Sequence, residues 1–224
     1  MRNRGQEGLM SNDDAMSAIR QLLMTPDVDS EQPSAVTDVL EAAVGVILTI
    51  GWQRLTMADV AKRAGVARAT VYRHFATKDD LRRAVGAREV QKFLLEILEL
   101  RSAAPDLESG MVAAVRHIIN EVRTNPLIAR LRETDRELLM DVVSRDDIVT
   151  YATQFCAQMW RTQLYAADDE IAEADWNHLL MVSEITVRVS LSLALNPTTS
   201  TDLSTEEGAT DFVRRFTKAL LPDA

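Results

Sequence analysis

The chain has 224 residues, of which 46% are hydrophobic and 26% charged, and it carries a net charge of −9. This composition is ordinary for a folded globular protein, and the scarcity of aromatics (5%), glycine (8 residues) and proline (6 residues) disfavours a β-rich fold. One cysteine excludes an internal disulfide and suits a reducing compartment.

Hydropathy predicts neither a secretory signal nor a membrane span. No apolar core follows the N-terminal residues, and the longest apolar run, Ala42 to Trp52, is too short to cross a bilayer. The stretch Leu179–Leu195 is longer, but Glu184 and Arg188 interrupt it. A cytoplasmic protein is therefore expected.

Residues 1–34 form a polar arm that contains one short helical stretch. Four interpretations stay open for it. The arm packs on the body of the protein, lies across a partner subunit, touches DNA through Arg2 and Arg4, or is disordered around a fraying helix.

Helical periodicity accounts for the remainder of the chain. An apolar stripe predicts a first helix from Val36 to Ile50, ended by Gly51 at its C-terminal cap. Three more helices are expected to begin at Thr56, at Arg68 and after Thr77, the last extending to Leu100. Five further helices are predicted beyond Pro105: Leu107–Arg123, Pro126–Val143, Asp147–Tyr165, Ile171–Leu195 and Thr205–Leu221. N-caps are predicted at Asn125 and at Ser204, and nothing reads as a strand, so the predicted fold is all-α.

Positive charge is concentrated in one segment, between Arg54 and Arg83. This segment holds eight cationic and three anionic side chains, a net charge of +5, which leaves −14 on the rest of the chain. A cationic module on an acidic body suits a DNA-binding protein in which one surface meets phosphate. A solvated helical face explains the charge alone equally well.

The same segment contains the signals of a helix-turn-helix. Thr56 with Asp59 forms a capping pattern, and Leu55 with Val60 forms a hydrophobic staple across the start of the second helix. Gly65 permits a left-handed turn before the third helix. Thr77 with Asp80 repeats the capping pattern at the fourth helix.

Burial of Val71 and Phe75 at i and i+4 would turn the opposite face of the third helix outward. That face carries Arg68, Ala69, Thr70, Tyr72 and Arg73. A short cationic helix of this kind can enter a major groove. Thr56 and Lys78 stand at the first turns of the flanking helices, where backbone N–H groups favour phosphate. Taken singly, Tyr72 is equally compatible with a core aromatic and His74 with a surface histidine.

The run from Val39 to Leu81 resembles the DNA-binding domain of the tetracycline-repressor (TetR) family. The resemblance rests on Gly-Trp at 51–52, Thr-Met-Ala-Asp-Val-Ala-Lys-Arg-Ala-Gly-Val at 56–66, Thr-Val-Tyr-Arg-His-Phe at 70–75 and Lys-Asp-Asp-Leu at 78–81. It implies a homodimer whose two third helices bind half-sites of a pseudo-palindromic operator. By this resemblance Thr56, Tyr72, His74 and Lys78 hold phosphates, while Arg68, Ala69, Thr70 and Arg73 lie nearer base edges.

Two positions depart from the family pattern. Ala67 stands where a serine often caps the third helix, and Ala69 stands where a glycine is frequent. A missing cap costs about 1 kcal/mol, so the start of the third helix is expected to be weakened. The methyl group of Ala69 lies on the groove face and changes which bases fit there.

The C-terminal part is expected to hold the dimer interface. Ile171–Leu195 is apolar nearly all round and must be buried on more than one side. The family resemblance implies a four-helix interface formed by this helix and the last one. The residues assigned to it are Trp176, Leu180, Ile185, Val189, Phe212 and Phe216. Glu184 and Arg188 are expected to form an ion pair at i,i+4.

The resemblance also implies a ligand cavity among the middle helices. The candidate lining residues are His117, Met140, Tyr151, Phe155, Met159, Trp160 and Met181. Met and aromatic residues at helical spacing are equally typical of a plain core. If they line a cavity, their chemistry suits an adaptable and largely hydrophobic effector.

No catalytic, nucleotide-binding or metal-binding motif occurs, and His117 and His178 lack metal-ligand spacing. The sequence therefore predicts a ligand-responsive DNA-binding regulator, a repressor rather than an activator. No enzymatic activity, cofactor or metal is predicted. Three parts are expected: an arm at 1–34, a helix-turn-helix domain at 35–85, and an effector-binding and dimerisation domain at 86–224. The alternative is a ligand- or protein-binding dimer of the same fold that does not bind an operator.

Overall fold

The structure, a computed structural model, describes residues 33–144, 146–165, 169–196, 200 and 202–220. The described residues form α-helices joined by short connections, with no β-strand among them. The helices in chain order are α1 (Pro33–Ile50), α2 (Met57–Ala64), α3 (Arg68–His74), α4 (Lys78–Ala103), α5 (Leu107–Thr124), α6 (Pro126–Thr134), α7 (Arg136–Ser144), α8 (Asp146–Leu164), α9 (Glu173–Leu195) and α10 (Glu206–Leu220). The all-α prediction is confirmed. The helical stretch predicted inside residues 1–34 lies outside the described residues.

The chain divides into two compact units. Among the described residues, one unit comprises residues 33–93 and 122–144, and the other comprises residues 94–121 and those described between 146 and 220. We call them the helix-turn-helix unit and the C-terminal unit. Helix α4 begins in the first and ends in the second. The domain boundary predicted at residue 85 stays a prediction.

The helix-turn-helix unit has a core drawn from α1, α2, α3, the start of α4, α6 and α7. Its most deeply buried side chains include Val39, Val60, Val71 and Leu81, none of which is measurably exposed. Leu127, Leu131 and Leu139 from α6 and α7 complete the same cluster. The three short helices of the DNA-binding segment therefore gain two further helices to pack against.

A buried carboxylate joins α6 and α7 to the first turn of the DNA-binding segment. Asp135 lies between the two helices and accepts hydrogen bonds from the Trp52 backbone N–H (3.1 Å) and the Thr134 hydroxyl (2.6 Å). Gly51 adopts a left-handed φ of 81°, which ends α1 beside this carboxylate. The prediction of a single helix from Pro126 to Val143 was wrong. The backbone of Asp135 leaves the helical region, at φ −149° and ψ 49°, and so divides the segment into α6 and α7.

In the C-terminal unit, α8 packs along α9. Ala157 and Trp160 from α8 meet Leu179 and Val182 from α9 in one buried cluster. A second cluster joins Val112 of α5 to Ala209 and Val213 of α10. Met111 of α5 packs against both clusters and so links them.

The predicted helix caps are confirmed at all but one position. The Asn125 side chain accepts from the backbone N–H groups of Leu127 and Ile128 at the start of α6. At the start of α10 the cap is Thr205, whose hydroxyl accepts from the Gly208 N–H at 3.1 Å, so the assignment to Ser204 was wrong. Ser204 instead bonds locally to the Asp202 carboxylate.

Helix α9 is, within the described part of the chain, the one helix long and apolar enough to cross a membrane by length and composition. Its exposed stripe nevertheless carries the predicted ion pair, with 2.7 Å between Arg188 Nε and Glu184 Oε1. Its inner face packs on α8. These features are those of a helix in a helical bundle.

Candidate nucleic-acid interface

The start of α2 is fixed by two reciprocal hydrogen bonds. The Thr56 hydroxyl accepts from the Asp59 N–H, and the Asp59 carboxylate accepts from the Thr56 N–H, each at 3.2 Å. Leu55 and Val60 are buried on either side of this cap, as the predicted staple requires. The orientation of α2 at its start is therefore set by residues that are adjacent in sequence.

The turn into α3 depends on one glycine. Gly65 has φ 70° and ψ 22°, a left-handed conformation, and its N–H donates to the Ala61 carbonyl. An added Cβ at Gly65 would meet no atom within 4 Å, so the requirement for glycine is set by the backbone conformation alone. Ala67 then begins α3 with no side-chain cap, as predicted from the sequence.

Helix α3 presents the predicted outer face. Val71 is fully buried beneath the helix and Phe75 nearly so. The Tyr72 side chain is 52% exposed on the opposite side. Of the other predicted contact residues on this helix, Arg68, Ala69 and Arg73 are exposed, and Thr70 and His74 are half-buried. The structure therefore brings one aromatic and two guanidinium groups to a single outward face.

The charges around this face differ in how they are neutralised. Arg82 and Arg83 on α4 both pair with Asp79, and the pKa of Asp79 is lowered mainly by its hydrogen bond with Arg83. Arg68 pairs with no carboxylate among the described residues. Arg73 forms a hydrogen bond with the ring of His74, at 3.4 Å, and pairs with no carboxylate in the part of the chain that the structure describes. The positive potential of α3 is therefore available to an anionic partner.

Lys78 has partners within the protein. Its ammonium donates to the carbonyl oxygens of Trp52 (2.8 Å) and Gln53 (3.2 Å) and lies 4.9 Å from the centroid of the Trp52 ring. Burial lowers the pKa of Lys78, and the Asp135 carboxylate offsets part of that shift. Lys78 thus holds the turn after α1 against the start of α4, a role that sequence reasoning missed. Its predicted contact with phosphate stays a prediction.

The predicted effector residues do not all lie together. In the C-terminal unit, Phe155 and Trp160 are buried on α8, and His117, Tyr151 and Met159 are half-buried. Met181 lies on α9 with 53% of its surface exposed, and Met140 belongs to the helix-turn-helix unit, where it is 41% exposed. Burial raises the pKa of Tyr151 to about 12. Of the predicted effector residues, those that are buried or half-buried therefore lie on α5 and α8.

The six predicted dimer residues lie on α9 and α10, and none is fully buried in the single chain. Ile185 is 38% exposed, and Trp176, Leu180, Val189, Phe212 and Phe216 are half-buried. The rings of Phe212 and Phe216 stack with centroids 5.4 Å apart.

Helix α3 is cationic, follows the Gly65 turn and is anchored in the core by Val71. This arrangement is that of a helix-turn-helix, the motif of many DNA-binding proteins. The family model "Bacterial regulatory proteins, tetR family" matches residues 39–85, which contain this whole arrangement. The helix-turn-helix segment of the chain is therefore similar to that of the TetR family of DNA-binding transcriptional regulators. That family and the relatives below are regulators rather than enzymes.

Two related proteins show how much of the chain the sequence similarity covers. The chain is 27% identical over 120 residues to an uncharacterized HTH-type transcriptional regulator of Mycobacterium tuberculosis, which covers 49% of this chain and 60% of that protein. It is 24% identical over 163 residues to the HTH-type transcriptional regulator AlkX of the same species, covering 71% of this chain and 74% of AlkX.

Solved structures show the same fold at low identity. The TetR family repressor AlkX from Dietzia, implicated in biodegradation of n-alkanes, has a TM-score of 0.65 at 19% identity, over 87% of this chain and 98% of that one. The repressor QsdR of R. erythropolis has a TM-score of 0.57 at 18% identity, over 84% and 94% of the two chains.

Proposed function

We propose that the chain is a homodimeric, ligand-responsive repressor that binds a pseudo-palindromic operator through α3. The observation that carries the proposal is the outward face of α3. Arg68, Tyr72 and Arg73 project from a helix that Val71 anchors in the core. An α-helix of this size fits a major groove, and a twofold dimer places two such helices on two half-sites.

The proposed DNA contacts fall into two groups, one near base edges and one facing phosphates. Arg68, Ala69, Thr70 and Arg73 lie nearer base edges, and Thr56, Tyr72, His74 and Lys78 face phosphates. Because the Lys78 ammonium and the Thr56 hydroxyl already have partners in the chain, and the His74 ring lies 3.4 Å from the Arg73 guanidinium, Tyr72 is expected to be the phosphate contact that matters most. The Thr56 N-terminal turn still contributes through the dipole of α2.

Dimerisation is proposed through α9 and α10. Helix α9 is apolar along its length, yet Met181 and Ile185 stand one turn apart on its exposed side. Apolar side chains exposed in this way on a single chain are what a second copy would cover. The alternating charges of Glu184 and Arg188 on the same side would then set the register between the copies.

The effector is proposed to be a largely hydrophobic molecule bound in the C-terminal unit beside α8. Phe155, Met159 and Trp160 offer apolar surface there, and Tyr151 offers a hydroxyl without a partner in the described residues. The link of the AlkX repressor from Dietzia to n-alkane biodegradation is in keeping with an apolar effector. Effector binding would favour a conformation in which the two α3 helices are wrongly spaced, so operator affinity falls by linkage. The protein would act in the cytoplasm.

Selection from random duplex DNA tests the regulator proposal without knowledge of the operator. The wild type is expected to enrich a palindromic motif at low salt, and an Arg68→Ala, Tyr72→Ala double variant is expected to enrich none. Enrichment of nothing by either protein would instead favour a helical dimer of the same fold that does not bind an operator. The uncapped start of α3 at Ala67 is the feature that favours this second candidate.

The effector is tested separately by thermal shift. Long-chain alcohols and fatty acyl compounds are expected to raise the melting temperature of the wild type, and short charged compounds are not. Stabilisation by polar compounds alone would contradict the proposed ligand class. A Leu48→Ser variant serves as control, because Leu48 is an exposed apolar residue of the helix-turn-helix unit that is not among the predicted effector residues, so the shifts should be unchanged.

A further inference from the structure

Three potential metal ligands converge within the C-terminal unit. Glu96 of α4 and His117 and Glu121 of α5 each offer one ligand atom, and all three atoms lie within 4.8 Å of one another. His117 Nε2 and Glu96 Oε2 are 3.2 Å apart. Because His117 and Glu121 are four residues apart, they lie on the same face of α5, and that face meets Glu96.

The charge at this point favours a cation. Two carboxylates and one imidazole lie together in a place where all three residues are half-buried. A divalent ion would offset the negative charge of both carboxylates and bind all three side chains.

The donor set also points to a class of ion. In tetrahedral coordination with bonds of roughly 2.1 Å, the ligand atoms stand about 3.4 Å apart, so small side-chain movements would suffice to close the site. One imidazole nitrogen with two carboxylate oxygens suits zinc and neighbouring first-row metals. Mg²⁺ and Ca²⁺ prefer oxygen donors alone.

We propose that Glu96, His117 and Glu121 form a three-ligand site for a divalent first-row transition metal, with Zn²⁺ the preferred ion. Such a site leaves one coordination position for water or another small ligand. It would clamp the C-terminal half of α4 to α5 within the C-terminal unit. In this proposal His117 binds the metal rather than an organic effector, and the site does not depend on whether the chain binds an operator.

The test uses the full-length protein without an affinity tag, stripped of metal with a chelator. Isothermal titration with Zn²⁺ is expected to show one strong site per chain. His117→Gln, Glu96→Gln and Glu121→Gln are each expected to weaken binding, by at least about 100-fold for His117→Gln. Titration with Co²⁺ is expected to give visible absorption bands that Zn²⁺ abolishes. The matched control is His178→Gln, which removes an exposed histidine on α9 and should leave the affinity unchanged.

Several results would overturn the proposal. Absence of a saturable site, or an affinity that His117→Gln leaves unchanged, would show that the cluster is a histidine–carboxylate ion pair only. Equal binding of Mg²⁺ and Zn²⁺ would contradict the proposed ion class. Since a glutamine variant could lose metal by misfolding, circular dichroism is used to check that each variant is folded. In a separate measurement, Zn²⁺ is expected to raise the melting temperature of the wild type and of His178→Gln but not of His117→Gln.

Discussion

The two units of this chain are stabilised in different ways. In the helix-turn-helix unit, α2 and α4 each begin with a reciprocal capping box, and the buried side chains form one continuous core. In the C-terminal unit, one cluster joins α8 to α9 and another joins α5 to α10, while helix α9 leaves Met181 and Ile185 exposed. Two exposed apolar residues one turn apart on a single helix distinguish the second unit, and dimerisation is proposed through that surface.

The largest effect is expected where the C-terminal unit is proposed to meet a second copy. A Met181→Glu, Ile185→Glu variant would place two carboxylates in the interface, and we expect the dimer dissociation constant to rise by about 100-fold or more. Sedimentation equilibrium measures this. Two exposed positions of α8, changed together as Gln154→Glu and Gln163→Glu, lie outside the proposed interface and test whether added charge alone produces the effect. A wild-type chain that is monomeric at every concentration would contradict the interface.

The next effect concerns Cys156, which packs against the α8–α9 cluster. Burial raises the pKa of this thiol to about 11 from 9.0, and Ser183 and Trp160 offset part of the rise. At pH 8 the thiolate is then about 100-fold rarer than in unfolded chain, so alkylation by iodoacetamide should be slower by about that factor.

The same shift makes stability depend on pH. Between pH 9 and about 11 the unfolded chain releases the thiol proton while the folded chain keeps it, so stability falls as pH rises through this window. Cys156→Ala should flatten that part of the stability curve. Equal alkylation rates in folded and urea-unfolded protein would contradict this account of the C-terminal unit.

A smaller loss is expected from breaking the buried link between α6–α7 and the turn after α1. Asp135→Ala removes the acceptor for the Trp52 N–H and the Thr134 hydroxyl, which should cost about 2 kcal/mol of unfolding free energy. Denaturation by urea followed by circular dichroism measures it. Asp135→Asn keeps one acceptor oxygen and should cost less, and Asp211→Ala at the surface is the control. An unchanged midpoint for Asp135→Ala would show that the link is not stabilising.

The smallest effects compare two helix starts in the same unit. Thr77→Ala removes the capping box of α4 and should cost about 1 kcal/mol, whereas Ala67→Ser supplies α3 with the cap it lacks and should stabilise by a similar or smaller amount. Thermal unfolding of the two variants and the wild type gives both values. A destabilising Ala67→Ser would mean that the start of α3 does not accommodate a capping side chain.

The features predicted correctly from the sequence are those whose partners are close in sequence. The Thr56–Asp59 cap, the Gly65 turn and the outward Tyr72 all follow from residues within one or two helical turns. The break at Asp135 escaped prediction because its partner Trp52 is 83 positions away. Glu96 escaped prediction for the same reason, because it lies 21 positions from His117. Glu121 lies one turn from His117 on the same helix, so a search for carboxylates four residues from each histidine could have suggested it.

Lys78 shows a further limit. Its position at a helix start is typical of a phosphate ligand, and its actual partners are the carbonyl groups of Trp52 and Gln53. The sequence pattern places Lys78 at the start of α4. Whether its ammonium also bonds to the carbonyl groups of Trp52 and Gln53 depends on the path of the chain after α1. The phosphate role is therefore separable from the structural one only by measurement on DNA.

Helix α3 is proposed to supply the DNA-binding surface. Fluorescence anisotropy with the selected duplex, across a series of salt concentrations, measures the contribution of this helix to DNA affinity. The affinity of the wild type for DNA should fall steeply as the salt concentration rises. The Arg68→Ala, Tyr72→Ala variant should bind at least about 100-fold more weakly at low salt, and its affinity should depend less on salt. The control variant, Arg215→Ala on α10, should match the wild type. Equal affinity and equal salt slopes for the wild type and the double variant would contradict the claim.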